Sequence, residues 1–134
     1  MYYLHAVETI FKKLNPELFF FGHTYETRDW VPRLSARLNM PFISDCVGYS
    51  FENSIAFTRP TYQAKLNEKI ILNNDTGIIS FQAGSFNSEK LRMGSAEVDN
   101  ADIDFSPVNL TVHPGEKFRE SANEVDLSSA EIII

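Results

Sequence analysis

Residues 17 to 38 read Glu-Leu-Phe-Phe-Phe-Gly-His-Thr-Tyr-Glu-Thr-Arg-Asp-Trp-Val-Pro-Arg-Leu-Ser-Ala-Arg-Leu. Leu18 to Phe21 is a continuous apolar run, the pattern of a strand buried on both faces of a parallel sheet. Gly22 ends it. Asp29 reads as the N-cap of a helix, because Trp30, Leu34 and Leu38 then recur at i, i+4 and i+8 as one stripe. Pro32 falls in that helix's first turn, where its missing N–H costs little. Strand, loop and helix make a βα unit. The loop brings Thr24, Thr27, Arg28 and Asp29 to a helix N-terminus, where backbone N–H groups and the helix dipole favour an anion or a nucleotide phosphate. The competing reading is an ordinary βα turn in which Arg28 and Arg33 make structural salt bridges.

Upstream, residues 3–14 read as an amphipathic helix. Leu4, Val7, Phe11 and Leu14 share a face, Ile10 lies beside them, and Lys12 and Lys13 suit the C-terminal end of the dipole. Asn15-Pro16 stops it. A buried strand entered directly from such a helix expects a parallel neighbour on each side. Downstream, Asn39 is a C′ candidate and Pro41 a stop. Residues 42–51 read as extended, Glu52-Asn53 as a tight turn and 54–59 as a returning strand that Pro60 ends. Another strand finishes on Ile70-Ile71-Leu72. The Asn73 to Gly77 turn leads to a strand over 78–82, broken by Ala83-Gly84-Ser85. Residues 87–106 read as a polar link with one short strand near Ala96 to Val98. Val108 to His113 alternates as a strand, Pro114-Gly115 as a turn, Asp126 to Glu131 as a helical turn, and Ile132 to Ile134 as the start of a strand.

The chain has 134 residues, with 43% hydrophobic and 13% aromatic residues, enough for one domain with a real core. A net charge of −6 and a pI near 5.0 argue against nucleic acid. Cys46 is the only cysteine; no internal disulfide can form, and a reducing compartment is expected. The sequons at Asn74 and Asn109 read as chance. The first residues have neither a basic region nor a long apolar run, so no secretory signal is expected there. No apolar run approaches membrane-spanning length.

The opening stretch also carries a family resemblance. Gly22-x-Thr24-x-x-Thr27-Arg28-Asp29-x-x-Pro32-Arg33-x-x-Ala36-x-Leu38 resembles the Gly-x-Thr-x-x-Gly-Arg-Asp-x-x-Pro-Arg-x-x-Ala-x-Leu pattern of the electron transfer flavoprotein alpha subunit, in its N-terminal domain. Thr27 stands where the family usually has Gly. Four further segments resemble the same family in order: Asp45-Cys46-x-Gly48, Phe57 to Tyr62, Phe81 to Phe86, and Glu124 to Ile134. Gln63-Ala64 replaces an expected Gly-Gly pair, and Gln82 an expected basic residue.

The resemblance implies an α/β fold: a Rossmann-like three-layer sandwich related to the adenine-nucleotide hydrolase-like fold, mostly parallel with an antiparallel hairpin. Residues 1–130 would be a partial N-terminal domain and 131–134 the start of the strand leading to an FAD-binding domain. Further βα units precede this helix in the family, so a chain cut from a longer one is expected. The implied function is a heterodimeric electron carrier between flavin-dependent dehydrogenases and an electron-transport chain, in the bacterial cytoplasm or the mitochondrial matrix. This domain would scaffold the beta subunit, and the resemblance implies that FAD belongs to the parent complex, since the family's flavin-binding motifs lie in its second domain; no Gly-x-Gly-x-x-Gly occurs here. No catalytic residue is expected. The alternatives are a stand-alone AMP- or ATP-binding module, and a small hydrolase or transferase that lacks a visible nucleophile or metal cluster. An uncovered sheet edge would favour a homo-oligomer.

Individual residues read more plainly. His5, His23 and His113 lack metal-ligand spacing, and His23 reads as a surface imidazole. Cys46 and Trp30 read as core, Ser35 lacks a nucleophile-elbow context, and Asp29 with Arg33 can pair one turn apart. Arg28 is the better candidate for a tertiary role. Arg59 holds a strand end, and the acidic run Glu97 to Asp104 is a solvated loop.

Overall fold

The computed structural model describes residues 1–116 apart from Asp75, Met93 and Pro114. The expected turn at Pro114, the helical turn at 126–131, the strand at 132–134 and the linker resemblance from Glu124 lie outside the described residues. Helix α1 (Tyr2–Leu14) leads into β1 (Leu18–Gly22), α2 (Tyr25–Leu38), β2 (Phe42–Cys46), β3 (Gly48–Phe51), β4 (Ile55–Thr61), β5 (Leu66–Ile71) and β6 (Gly77–Phe81). Two three-stranded sheets result, ordered β1-β6-β2 and β3-β4-β5. The first is parallel throughout and the second antiparallel.

Each helix starts and stops for local reasons. Both end on an asparagine in the left-handed region, Asn15 at φ 46° and Asn39 at φ 51°, as helix C-termini favour. Helix α2 begins at Tyr25 because Thr24 caps it. The expected cap at Asp29 is therefore corrected: Asp29 lies inside the helix, and Pro32 is interior rather than in the first turn. There it removes the bond to the Arg28 carbonyl. The apolar stripe locates only the part of a helix that meets the core, and the first turn of α2 faces solvent. Glu8 joins the two helices, accepting from Lys12 Nζ at 2.7 Å and Arg37 Nη1 at 2.9 Å. The hydrogen bond from Lys12, then that from Arg37, holds its carboxyl below the usual range.

The parallel sheet is covered differently on its two faces. On one, Leu4, Val31, Leu34 and Ile78 are buried with Phe19, Phe21 and Trp30 against the helices. On the other, Ile43, Cys46, Phe57, Leu72 and Ile79 pack the antiparallel sheet against it. The layers are helices, parallel sheet and antiparallel sheet. Strand β1 departs from expectation: it pairs with β6 alone, and Phe20 is 52% exposed. Its second parallel neighbour is not among the described residues.

Residues 42–51 form two strands in two sheets, not one. The register slips between Ile43 and Cys46, Asp45 takes φ 65°, and Val47 N–H donates to Thr58 O at 2.8 Å. This bulge swings the chain from one sheet to the other. Pro60 does not end β4 but pairs with Asn67 inside it. Thr58, two residues earlier, turns its carbonyl toward β3, so the nitrogen of Pro60 faces the same side. There β3 has already ended at Gly48, and no ladder bond is lost.

The strands expected near 96–98 and over 108–113 are absent among the described residues. Val98 and Val112 are 91% and 79% exposed, and alternation without a neighbouring strand to pair with makes no sheet. Within the acidic link, Asp104 and Phe105 instead dock on α1. His5 Nε2 lies 2.8 Å from Asp104 O, and the Phe105 ring stands edge-on to Tyr2 at 5.4 Å.

The β4–β5 turn explains a departure from the family pattern. Tyr62, Gln63 and Ala64 take φ of 49°, 58° and 62°, and left-handed backbone is costly for any residue with a Cβ. A Gly-Gly pair at 63–64 would carry no such strain. We expect Ala64→Gly to raise the unfolding free energy by about 0.5–1 kcal/mol, measured by urea denaturation; a loss of stability would contradict this turn.

Candidate functional site

In open α/β sheets, ligands sit at the carboxyl ends of the parallel strands. Here that end gathers His23 and Thr24 after β1, Asp45 from β2, Ser80 from β6 and Gln82 just after it. The chain leaves β1 toward the helices and leaves β2 toward the antiparallel sheet.

The βα loop closes on itself. Thr24 Oγ1 accepts from the N–H of Thr27 at 3.2 Å, Thr27 Oγ1 accepts from the N–H of Thr24 at 2.8 Å, and the Thr27 hydroxyl donates to Gly22 O at 2.6 Å. This capping box needs a hydroxyl at 27, which a glycine there could not supply. Of the four predicted anion residues, the structure joins Thr24 and Thr27 to each other. It leaves Arg28 and Asp29 exposed on the first turns of α2. The Arg28 guanidinium lies over the Tyr25 ring, 5.6 Å from its centroid. The Asp29–Arg33 and Arg28 salt bridges do not form among the described residues. Arg59 lies 3.8 Å from Glu68 across the β4–β5 ladder, and its buried Nε makes no hydrogen bond.

Beside the cap lies a polar cluster that the linear pattern does not show. Ser80 is fully buried, on a run otherwise made of Ile78, Ile79 and Phe81. Its hydroxyl oxygen accepts from the Asp45 N–H at 3.2 Å and lies 2.9 Å from His23 Nδ1. The other ring nitrogen of His23, Nε2, lies 3.5 Å from Asp45 Oδ1. Gln82 Nε2 donates to the same Oδ1 at 2.9 Å. His23 is thus no surface imidazole but a half-buried strut between strand ends. The clue in the sequence is a lone serine inside an apolar strand, which must find a partner when buried.

Serine, histidine and aspartate resemble a hydrolytic triad in type only. A nucleophile must reach substrate, and the Ser80 hydroxyl is sealed in the middle of the sheet. No group of three or more metal-ligating side chains occurs among the described residues. Burial pushes the Cys46 thiol up to about 11, with the Asp45 carboxylate adding to the effect and Arg59 opposing it. On the opposite face from the helices, an apolar groove of about 460 Å³ is lined by Leu18, Phe20, Tyr49, Phe57, Phe81 and Phe86, among others.

These features define a Rossmann-like α/β domain whose strand ends are knitted together by its own side chains. A sequence model of the electron transfer flavoprotein domain matches residues 2–106, and the chain belongs to that family. It is 29% identical over 134 residues to the electron transfer flavoprotein subunit alpha of Bacillus subtilis, covering 98% of this chain and 41% of that protein. It is 26% identical to the subunit of the same name from Thermoanaerobacterium thermosaccharolyticum, and 24% identical to Protein FixB of Clostridium saccharobutylicum, again over 98% of this chain and 41% of each relative. The chain therefore spans about two fifths of the length of these curated relatives.

The buried serine and the buried thiol each lead to a measurable outcome. Ser80→Ala should cost about 1–3 kcal/mol, because it leaves the Asp45 N–H and His23 Nδ1 unpaired in the sheet. His23→Ala added to it should cost less than the two single losses summed, and a double-mutant cycle with additive losses would contradict the coupling. The Cys46 thiol, whose folded value lies above its unfolded one, stabilises the fold fully below about pH 8.5. That contribution fades as pH rises toward 11. Native protein at pH 8 should therefore react with a thiol reagent only as fast as it unfolds.

Proposed function

We propose that this chain is the scaffold part of an electron transfer flavoprotein alpha subunit, seating a beta subunit so that a flavin held elsewhere in the complex can exchange electrons. The observation that carries this reading is the family match over residues 2–106, on a domain whose serine–histidine–aspartate cluster is closed to substrate. The complex would accept electrons from flavin-dependent dehydrogenases and deliver them to an electron-transport chain. Its own role is position rather than bond-making, so the chain is a carrier subunit and not an enzyme.

FAD does not fit the residues described. The apolar groove has no basic side chain in its lining to meet a diphosphate, and the N-terminus of α2 at the strand ends is occupied by its own threonines. Flavin binding is accordingly assigned to sequence beyond this domain. No described helix is long and apolar enough to cross a membrane. The bacterial relatives favour the cytoplasm as its compartment.

The competing reading is an AMP- or ATP-binding module. It rests on the place of Thr24, Thr27, Arg28 and Asp29 at the strand carboxyl ends, and the capping box weakens it. Co-expression of the tagged chain with the beta subunit of a bacterial electron transfer flavoprotein distinguishes the two. We expect the beta subunit to co-purify, and the chain alone to be colourless after incubation with FAD. Failure to co-purify, together with saturable ATP binding lost in Arg28→Ala, would replace the scaffold reading with the nucleotide one.

A further inference from the structure

The segment after β6 passes from one face of the parallel sheet to the other. Phe86 starts it in the apolar groove, its ring 5.1 Å from that of Phe81 and 6.0 Å from that of Tyr49. A single helical turn follows (Ser88–Lys90), capped by the Asn87 side chain. Residues 87–102, Met93 aside, are exposed, and beyond Lys90 they take no regular structure. The segment is held again at Asp104 and Phe105, which dock on the first turns of α1 in the helix layer. It is a strap with an aromatic anchor at each end and an exposed span between them.

The far anchor is small. A backbone carbonyl can only accept, so His5 Nε2–H donates to Asp104 O at 2.8 Å. The Phe105 ring stands edge-on to Tyr2 and lies tilted 6.0 Å from the His5 ring. The turn that presents these groups is closed by its own bonds. The Asp104 carboxylate accepts from the N–H and the hydroxyl of Ser106, each at 2.9 Å, and Val108 N–H donates to Phe105 O at 3.0 Å. The turn can therefore leave α1 without losing its internal hydrogen bonds. Neither Asp104 nor Phe105 joins a strand or the buried core among the described residues, and Phe105 is 41% exposed where it docks.

We propose that residues 87–105 form a releasable strap, with Asp104 and Phe105 as its latch on α1. Closed, the latch sends the chain after residue 105 onward from the helix face of the sheet. Open, it leaves Phe86 as the last anchor, so that the chain departs from the groove on the opposite face, and it uncovers the rings of Tyr2 and His5. Opening breaks one exposed hydrogen bond and two ring contacts. No ladder bond and no buried side chain is disturbed, which makes it a local opening rather than part of global unfolding. The strap goes beyond the scaffold reading and does not depend on it.

Nuclear magnetic resonance of the 134-residue chain tests the latch. The closed strap should give an Overhauser contact between the Tyr2 and Phe105 rings, and higher backbone order parameters at 104–108 than at 94–102. On warming, that contact should fade well below the unfolding midpoint, while the circular dichroism stays unchanged. His5→Ala and Phe105→Ala alter only the latch. Each should lower the order parameters at 104–108 to those of the span, and His5→Ala should also abolish the Tyr2–Phe105 contact. A contact absent at every temperature, one that persists until global unfolding, or order at 104–108 that survives both substitutions would each overturn the proposal. Beta-subunit co-purification is a separate readout, so failure here leaves the scaffold reading standing.

Discussion

Strand β6 enters the parallel sheet between two strands that precede it in the chain, and both halves of the core depend on that insertion. Ile78, Ile79 and Ser80 are fully buried. Ile78 belongs to the cluster beneath the helices and Ile79 to the cluster beneath the antiparallel sheet, so one strand supports both layers. Burying each isoleucine contributes roughly 1.5–3 kcal/mol. At Gly77 the strand passes close to Leu72, where an added Cβ would lie 2.7 Å from Cδ1 and require that side chain to shift. Parallel neighbours joined over such sequence distances close large loops before any ladder bond repays them. The helices and the β3–β4 hairpin can form locally; the parallel sheet waits for residues 77–81.

That insertion also shapes the strand ends. A serine in the middle of β6 brings a hydroxyl into a place without water. His23 and the Asp45 backbone satisfy it, while Gln82 and His23 share the Asp45 carboxylate. The edge where related folds bind ligands is thereby occupied by the domain's own polar groups. Under the scaffold role proposed above, such a self-satisfied end would hold surfaces in place while the chemistry resides in the cofactor.

Much of this is legible in the chain. The apolar run Leu18 to Phe21, the stripe Trp30, Leu34 and Leu38, and the Asn39 stop carry the βα unit through local periodicity alone. The start of α2 is not legible by that route, since Tyr25 and Glu26 face solvent and leave no apolar mark. Nor is the division of 42–51 between two sheets, which turns on the backbone of a single aspartate, Asp45. Pro60 looks like a terminator until β3 is seen to stop short of it. The polar cluster joins residues up to fifty-seven positions apart, so only the lone Ser80 in an apolar strand hints at it. Val108 to His113 shows the converse: alternation marks a strand only where a neighbour exists to pair with.

Whether β6 holds the domain together is tested most directly by native-state hydrogen exchange at the amides of Ile79 and Phe81. With β6 as the common support, these amides exchange only through global unfolding and are the slowest in the molecule, while those of β3 and β5 open earlier through local fluctuation. If the β3–β5 amides proved the slowest and those of β6 exchanged by local opening, the antiparallel sheet would be the stable unit. The parallel sheet would then depend on it, and the central place of β6 in the fold would be contradicted.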